Sequence, residues 1–334
     1  MVQLVYAVTI VMILGAGVTN SGAQPSVEVA RPKGELDEAK RLTQQVERLF
    51  DEGRYQEALA PAQRALAIRE KTLGPNHLDV AESLNWLAGL YWKQDAHKKA
   101  EPFFVRSLDI RERLLGPNHT DIGESLNNLG NLYRDQAKYV KAEAFLARAL
   151  AIREKALGAN HRDVAESLNN LAILYHQQGW YRKAEPLFAR ALAIREKAFG
   201  PNDPNVARYL NNLAALYDAQ GAYAKAEPFY VRALGIWENA LGPNHPDVAL
   251  SLNNLALLYV TQGAYTKAEP LYVRALDVEE KSLGPNHILV ATSLNNLASL
   301  YLLQGAYAKA EPLYVRALDI EERSLGPNHP NVAT

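Results

Sequence analysis

The 334-residue sequence contains no cysteine. That excludes a disulfide framework, a thiolate nucleophile, cysteine-ligated zinc and iron–sulfur clusters. Charge of one sign is also missing: 36 Lys and Arg stand against 37 Asp and Glu, for a net charge of −1. A nucleic-acid binder needs a basic face to neutralise phosphates, and no excess of positive charge is available to build one. Period-two alternation of apolar and polar residues is absent, so strands are not indicated. Catalytic signatures are missing as well. There is no G-x-x-x-x-G-K-[ST], G-x-G-x-x-G, H-E-x-x-H or G-x-S-x-G, the patterns that cradle phosphates, bind catalytic zinc or present a serine nucleophile. Nothing in the sequence asks for a cofactor or a metal, and a non-catalytic protein is expected.

What is present is a repeat. Leu73-Gly74-Pro75-Asn76-His77 returns at Leu115–His119, Leu241–His245, Leu283–His287 and Leu325–His329, with altered copies at Leu157–His161 and Phe199–Asp203. Every step is 42 residues, without insertion or deletion. Ser125-Leu126-Asn127-Asn128-Leu129 recurs in the same phase from Ser167, Tyr209, Ser251 and Ser293. A fixed period of this length signals a stack of like supersecondary units. Within the unit 246–287, Leu252, Leu255, Ala256 and Tyr259 follow the i, i+3, i+4, i+7 spacing of an amphipathic helix. Gly263 closes that helix, and a second begins near Tyr265 with Ala268, Tyr272, Ala275 and Leu276 on its apolar face. Each unit is therefore a helix pair. Two local features fit less easily. Pro102, Pro186, Pro228, Pro270 and Pro312 fall about five residues into the second helix, where proline either delays the helix or bends it. Asp95 and Ala137 stand where other units have glycine.

Leu252, Leu255, Ala256, Tyr259, Gly263, Tyr265, Ala268, Tyr272, Ala275 and Leu276 resemble the tetratricopeptide repeat (TPR) signature. The 42-residue unit is similar to the longer variety found in kinesin light chains and many bacterial repeat proteins. The resemblance implies an all-α, right-handed superhelical solenoid of about seven helix pairs over residues 36–334, with an eighth unit begun and incomplete. It also implies a concave groove, lined by the first helices, that binds a protein or peptide ligand. In the runner-up reading, the chain is the sensory or oligomerising arm of a larger signalling protein.

With Leu252 at 0° and 100° per residue, Asn254, Leu250, Leu257 and Thr261 point away from their own unit's core. The predicted groove residues are accordingly Asn128, Asn170, Asn212, Asn254 and Asn296, whose amides would grip a peptide backbone. The competing role for these amides is a bond to the neighbouring helix that fixes the superhelical twist. The flanking row Asn127, Asn169, Asn211, Asn253 and Asn295 is assigned to inter-unit contacts. Glu82, Glu124, Glu166, Arg208, Leu250 and Thr292 share one position along the groove, which suggests a ligand with a basic segment over the early units and an apolar one over the later. The loop histidines, one per unit, are expected to cap helices rather than bind metal, and Arg106 with its repeats is read as a salt-bridged surface.

At the N-terminus, residues 1–23 carry no charged side chain and Leu4–Val18 is almost wholly apolar. That run is short of the roughly 20 residues that span a bilayer. With Ser21-Gly22-Ala23 after it, the segment is expected to be a signal peptide (or a short membrane anchor), followed by a linker over 24–35. Export to the periplasm or the medium follows, with a membrane-anchored or cytoplasmic protein as the alternative. Self-association through the uncapped C-terminal unit is a further expectation.

Overall fold

The computed structural model describes residues 27–325, fourteen α-helices and no strand among them. They form seven consecutive pairs: α1 (Val27–Asp51) with α2 (Tyr55–Leu73), α3 (Leu78–Lys93) with α4 (His97–Leu115), α5 (Thr120–Asp135) with α6 (Tyr139–Leu157), α7 (Arg162–Gln177) with α8 (Tyr181–Phe199), α9 (Pro204–Ala219) with α10 (Tyr223–Leu241), α11 (Pro246–Thr261) with α12 (Tyr265–Leu283), and α13 (Ile288–Leu303) with α14 (Tyr307–Leu325). Each first helix packs on its own second helix and then on the second helix of the preceding unit. The result is an all-α solenoid of seven units. The segment 1–23 and the start of an eighth unit lie outside the described residues. Helix α1 begins at Val27, so it already occupies part of the stretch expected to be a linker, and Glu35 on it pairs with Lys71 of α2 at 2.8 Å. No helix among the described residues is long and apolar enough to cross a membrane.

The helix ends follow from local chemistry. His77, His119, His161, His245 and His287 cap the next helix, their Nδ1 accepting the backbone N–H two residues on at 3.1–3.3 Å. Asp203 does the same with its carboxylate at 2.9 Å, which explains why it can replace histidine in that series. These side chains are consumed by an orphan helix donor. Among the described residues no group of three His, Asp or Glu is disposed to hold a metal.

The prolines do not displace the helix starts, which fall at Tyr or His as the periodicity predicts. Pro102, Pro186, Pro228, Pro270 and Pro312 lie inside continuous helices on the solvent side. Each leaves unbonded the carbonyl four residues earlier, and those residues (Lys98, Arg182, Ala224, Thr266 and Ala308) are exposed, so water can take the missing donor's place.

The core is a continuous strip between the two helix layers. Leu84, Leu126, Leu168, Leu210, Leu252 and Leu294 of the first helices are fully enclosed, as are Phe104, Phe188, Tyr230 and Tyr272 of the second. Burying each is worth roughly 1.5–3 kcal/mol, and because similar sets recur along the chain, stability is spread along the array.

The turn inside each unit needs a left-handed residue. Glycine supplies it at Gly53, Gly179, Gly221, Gly263 and Gly305, but Asp95 takes φ 55° and Ala137 φ 56°. A left-handed alanine costs about 1–2 kcal/mol. We therefore expect Ala137→Gly to raise the unfolding free energy by about 1 kcal/mol in urea titration, with a smaller gain for Asp95→Gly because aspartate tolerates this conformation better. No gain in either variant would contradict the assignment of strain to these turns.

Candidate functional site

The asparagine rows are not an open grip. Asn128 Nδ2 donates to Asn85 Oδ1 at 3.1 Å, Asn170 to Asn127 at 3.1 Å, Asn212 to Asn169 at 2.9 Å and Asn254 to Asn211 at 3.2 Å. Asn128, Asn170 and Asn254 are buried, and Asn212 and Asn296 are half-buried. This corrects the groove assignment of Asn128, Asn170, Asn212 and Asn254, whose amides are engaged within the array; Asn296 makes no such bond. The helical wheel considered only the partner helix of the same unit, whereas a first helix in a stack has neighbours on both flanks. Asn at about 100° faces the following unit and Asn at about 200° the preceding one, so the two rows meet and seal each other. The assignment of the row Asn127, Asn169, Asn211 to inter-unit bonds agrees with the structure.

Glu82, Glu124 and Glu166 are likewise engaged. Buried Arg69, Arg111 and Arg153 on the preceding second helices reach them at 2.9, 3.3 and 3.4 Å. The same guanidinium groups donate to Ser83, Ser125 and Ser167 at 2.7–3.0 Å and to the backbone carbonyls of Asp79, Asp121 and Asp163 at 3.0–3.1 Å. Desolvation raises the Glu124 carboxyl above its ordinary range, with Arg111 and Arg153 opposing the shift. These acids are therefore already neutralised from within the array, and a basic ligand segment is not what they await.

Two further ladders cross each joint. Tyr133, Tyr175, Tyr217, Tyr259 and Tyr301 donate their hydroxyls to Glu101, Glu143, Glu185, Glu227 and Glu269 of the preceding unit at 2.7–3.0 Å. Desolvation, together with the acceptor glutamate, pushes the phenols of Tyr133, Tyr175 and Tyr259 up to about 12. Arg106, Arg148, Arg190, Arg232, Arg274 and Arg316 pair with Glu70, Glu112, Glu154, Glu196, Glu238 and Glu280 of the preceding second helices. The arginine series is thus a half-exposed clamp between units.

With both flanks and the base of each first helix occupied, the open part is a narrow arc at about 140–180° on the wheel. Leu250, Leu257 and Arg208 fall on it and are half-buried, so the neighbouring helices leave these predicted residues partly open. Residues the sequence reading did not single out complete it: Asp135, Gln177, Ala219 and Leu303 are exposed, as is Thr261, and His176 and Asp218 stand half-buried beside them. Trp92 Nε1 donates to Asp135 at 2.8 Å, and Arg134 holds both Asp135 (2.9 Å) and Asn131 (2.9 Å). Farther along, Val260 is half-buried, and Leu302 and Leu303 are 48% and 57% exposed. The wall runs from charged and mutually paired to apolar. The change from Val260/Thr261 to Leu302/Leu303 between otherwise similar units is the sequence signal for this arc.

The buried arginine column drifts toward the C-terminus. After Arg195, which donates to the Tyr209 hydroxyl at 3.0 Å, the same position holds Trp237, Glu279 and Glu321. Glu279 draws Asn253 Nδ2 to itself at 3.3 Å, and that amide also donates to Ser293 at 2.8 Å. No bond from Asn296 to Asn253 forms. Glu279 Oε2, Asn253 Oδ1 and Ser251 Oγ are left buried without partners. Desolvation raises the Glu279 carboxyl to about 7.

Models of the family described as tetratricopeptide repeat match residues 47–113, 79–155, 121–197, 163–236, 219–278, 252–320 and 290–334. Nephrocystin-3 of Xenopus laevis is 43% identical over 56 residues, which is 17% of this chain and only 4% of that protein's length. Among solved structures, BtubC (BKLC) from P. vanneervenii is 26% identical with a TM-score of 0.56, covering 68% of this chain and 91% of that one. A kinesin-light-chain-like protein of Podospora anserina with nearly identical TPR-like repeats is 24% identical with a TM-score of 0.53, over 62% of this chain and 98% of that one, and shows likeness of fold.

Glu279 gives a pH test. Its carboxyl titrates near 7 in the folded chain against an ordinary value of 4.5, so the folded state holds the proton more tightly. Its contribution is therefore full below pH 4.5 and is lost as pH rises to about 7, a difference on the order of 3 kcal/mol. We expect Glu279→Gln to melt with the parent chain at pH 4.5 and above it at pH 8, followed by circular dichroism. An unchanged gap across that range would contradict the assignment.

Proposed function

The chain belongs to the tetratricopeptide repeat family, and from that premise we propose that it is a polypeptide-binding scaffold whose contact surface is the inner wall of the solenoid. TPR arrays generally mediate protein–protein interaction and are generally non-catalytic. The observation that carries the proposal is the division of labour among side chains. Asn, Tyr and Arg ladders recur at most joints, while the arc bearing Asp135, Gln177, Ala219, Thr261 and Leu303 changes character at every step. A surface that varies on a scaffold that does not is suited to recognition by a few side chains. An extended segment laid along the first helices would meet paired charges at one end and exposed leucines at the other. Export belongs to the same proposal: mature protein beginning at Gln24 supports it, and mature protein beginning at Met1 opposes it.

Photocrosslinking separates this surface from the rest. With a benzophenone amino acid in place of Ala219 or Thr261, both exposed on the arc, irradiation of producing cells should give adducts of discrete mass. The same group at Val140, 87% exposed on α6, should give none. Adducts from position 140 alone, or equally from all three, would count against the inner wall as the contact surface.

A further inference from the structure

Asp218, beside the open arc at about 80° on the wheel, is a carboxylate for which the fold supplies no counter-charge. It lies in the last turn of α9, half-buried, and its carboxylate has no hydrogen bond or ion pair among the described residues. Desolvation alone pushes its carboxyl up to about 6. One earlier unit shows a donor at the equivalent place. Trp92 stands one unit and one residue before Asp135 and donates to it at 2.8 Å. The same 43-residue step carries Asp218 to Thr261, but the Thr261 hydroxyl turns back to the Leu258 carbonyl at 2.7 Å and leaves the carboxylate without a donor.

The helix end adds to the imbalance. The last turns of α3 and α5 carry Lys93 and Arg134, which offset the negative end of the helix dipole, whereas the last turn of α9 has no basic residue. Asp218 and the α9 carbonyl end therefore act with the same sign. Holding a carboxylate partly out of water without a partner is unfavourable, and a cation brought by a ligand would relieve it. In the next two units the arc carries Leu250, Leu257, Thr261, Thr292, Ser299 and Leu303, with Val260 and Leu302 beside it, and no charge.

Resting on the polypeptide-binding reading above, we infer that the wall selects an extended segment with one lysine or arginine over Asp218 and an apolar side chain over Val260, Leu302 and Leu303. Adjacent packed helices lie about 10 Å apart, so α9 and α13 are separated by about 20 Å. At about 3.3 Å per extended residue, the basic and apolar side chains fall about six positions apart. A phosphate backbone is disfavoured by the same carboxylate.

The test is selection of a random dodecapeptide phage library on the full chain, followed by fluorescence anisotropy of the enriched peptides. The expected winners pair a basic residue with a large apolar one about six positions away. Asp218→Asn should weaken them about tenfold and remove most of the salt dependence. Replacing the peptide's basic residue by glutamine should weaken binding to the parent chain but not to Asp218→Asn. Enriched peptides without a basic residue, or equal affinity for the parent and Asp218→Asn, would overturn the inference. The exposed pair Leu302→Ser/Leu303→Ser tells the two failures apart. If it weakens binding while Asp218→Asn does not, the wall binds peptides and the cation subsite is wrong; if neither weakens binding, the inner wall itself is wrong.

Discussion

A hydrogen bond between asparagine side chains, thrown from α5, α7, α9 and α11 to the first helix before each, sets the geometry on which the array depends. It recurs four times at a separation of 43 residues with lengths of 2.9–3.2 Å. Apolar contact alone holds two helices together without fixing their rotation. A pair of buried amides does fix it, because an unmet donor or acceptor away from water costs about 1–3 kcal/mol. The Tyr–Glu and Arg–Glu bonds brace the outer parts of each joint, so three polar ladders bracket one apolar strip.

That bracing decides where a partner can touch. Both flanks of each first helix from α3 to α11 are closed by neighbours and its base by the second helices. On the proposed reading, recognition is confined to a strip one or two side chains wide per unit. Charges on this strip in the early units satisfy one another, as Arg134 does Asp135, and the later units present leucine. The inner wall therefore has a direction, set by which side chains the ladders leave free.

The fold was legible in the sequence because the same residues recur at 42-residue intervals and each copy carries its helix, cap and glycine. The histidine caps were legible for the same reason, since Asp203 substitutes for them in kind. The site was harder. Asn128 and Asn170 looked open on a wheel drawn for one helix pair, and only the stack shows the second neighbour that buries them. Glu82, Glu124 and Glu166 looked like a charged stripe, but their partners Arg69, Arg111 and Arg153 lie 13 residues earlier in a different unit. The drift of that column through Trp237 to Glu279, in step with Leu250 and Thr292, was the sequence trace of the pairing. Asp218 gave no sequence signal, because its isolation depends on the orientation of the Thr261 hydroxyl.

A double-mutant cycle on Asn127 and Asn170 addresses the central claim most directly. Unfolding free energies of Asn127→Ala, Asn170→Ala and the double variant in urea should show each single change to be destabilising and the double change to cost less than their sum, with a coupling of about 1 kcal/mol. Additive single effects, or stability unchanged by either substitution, would mean that the joints do not rest on the asparagine bridge.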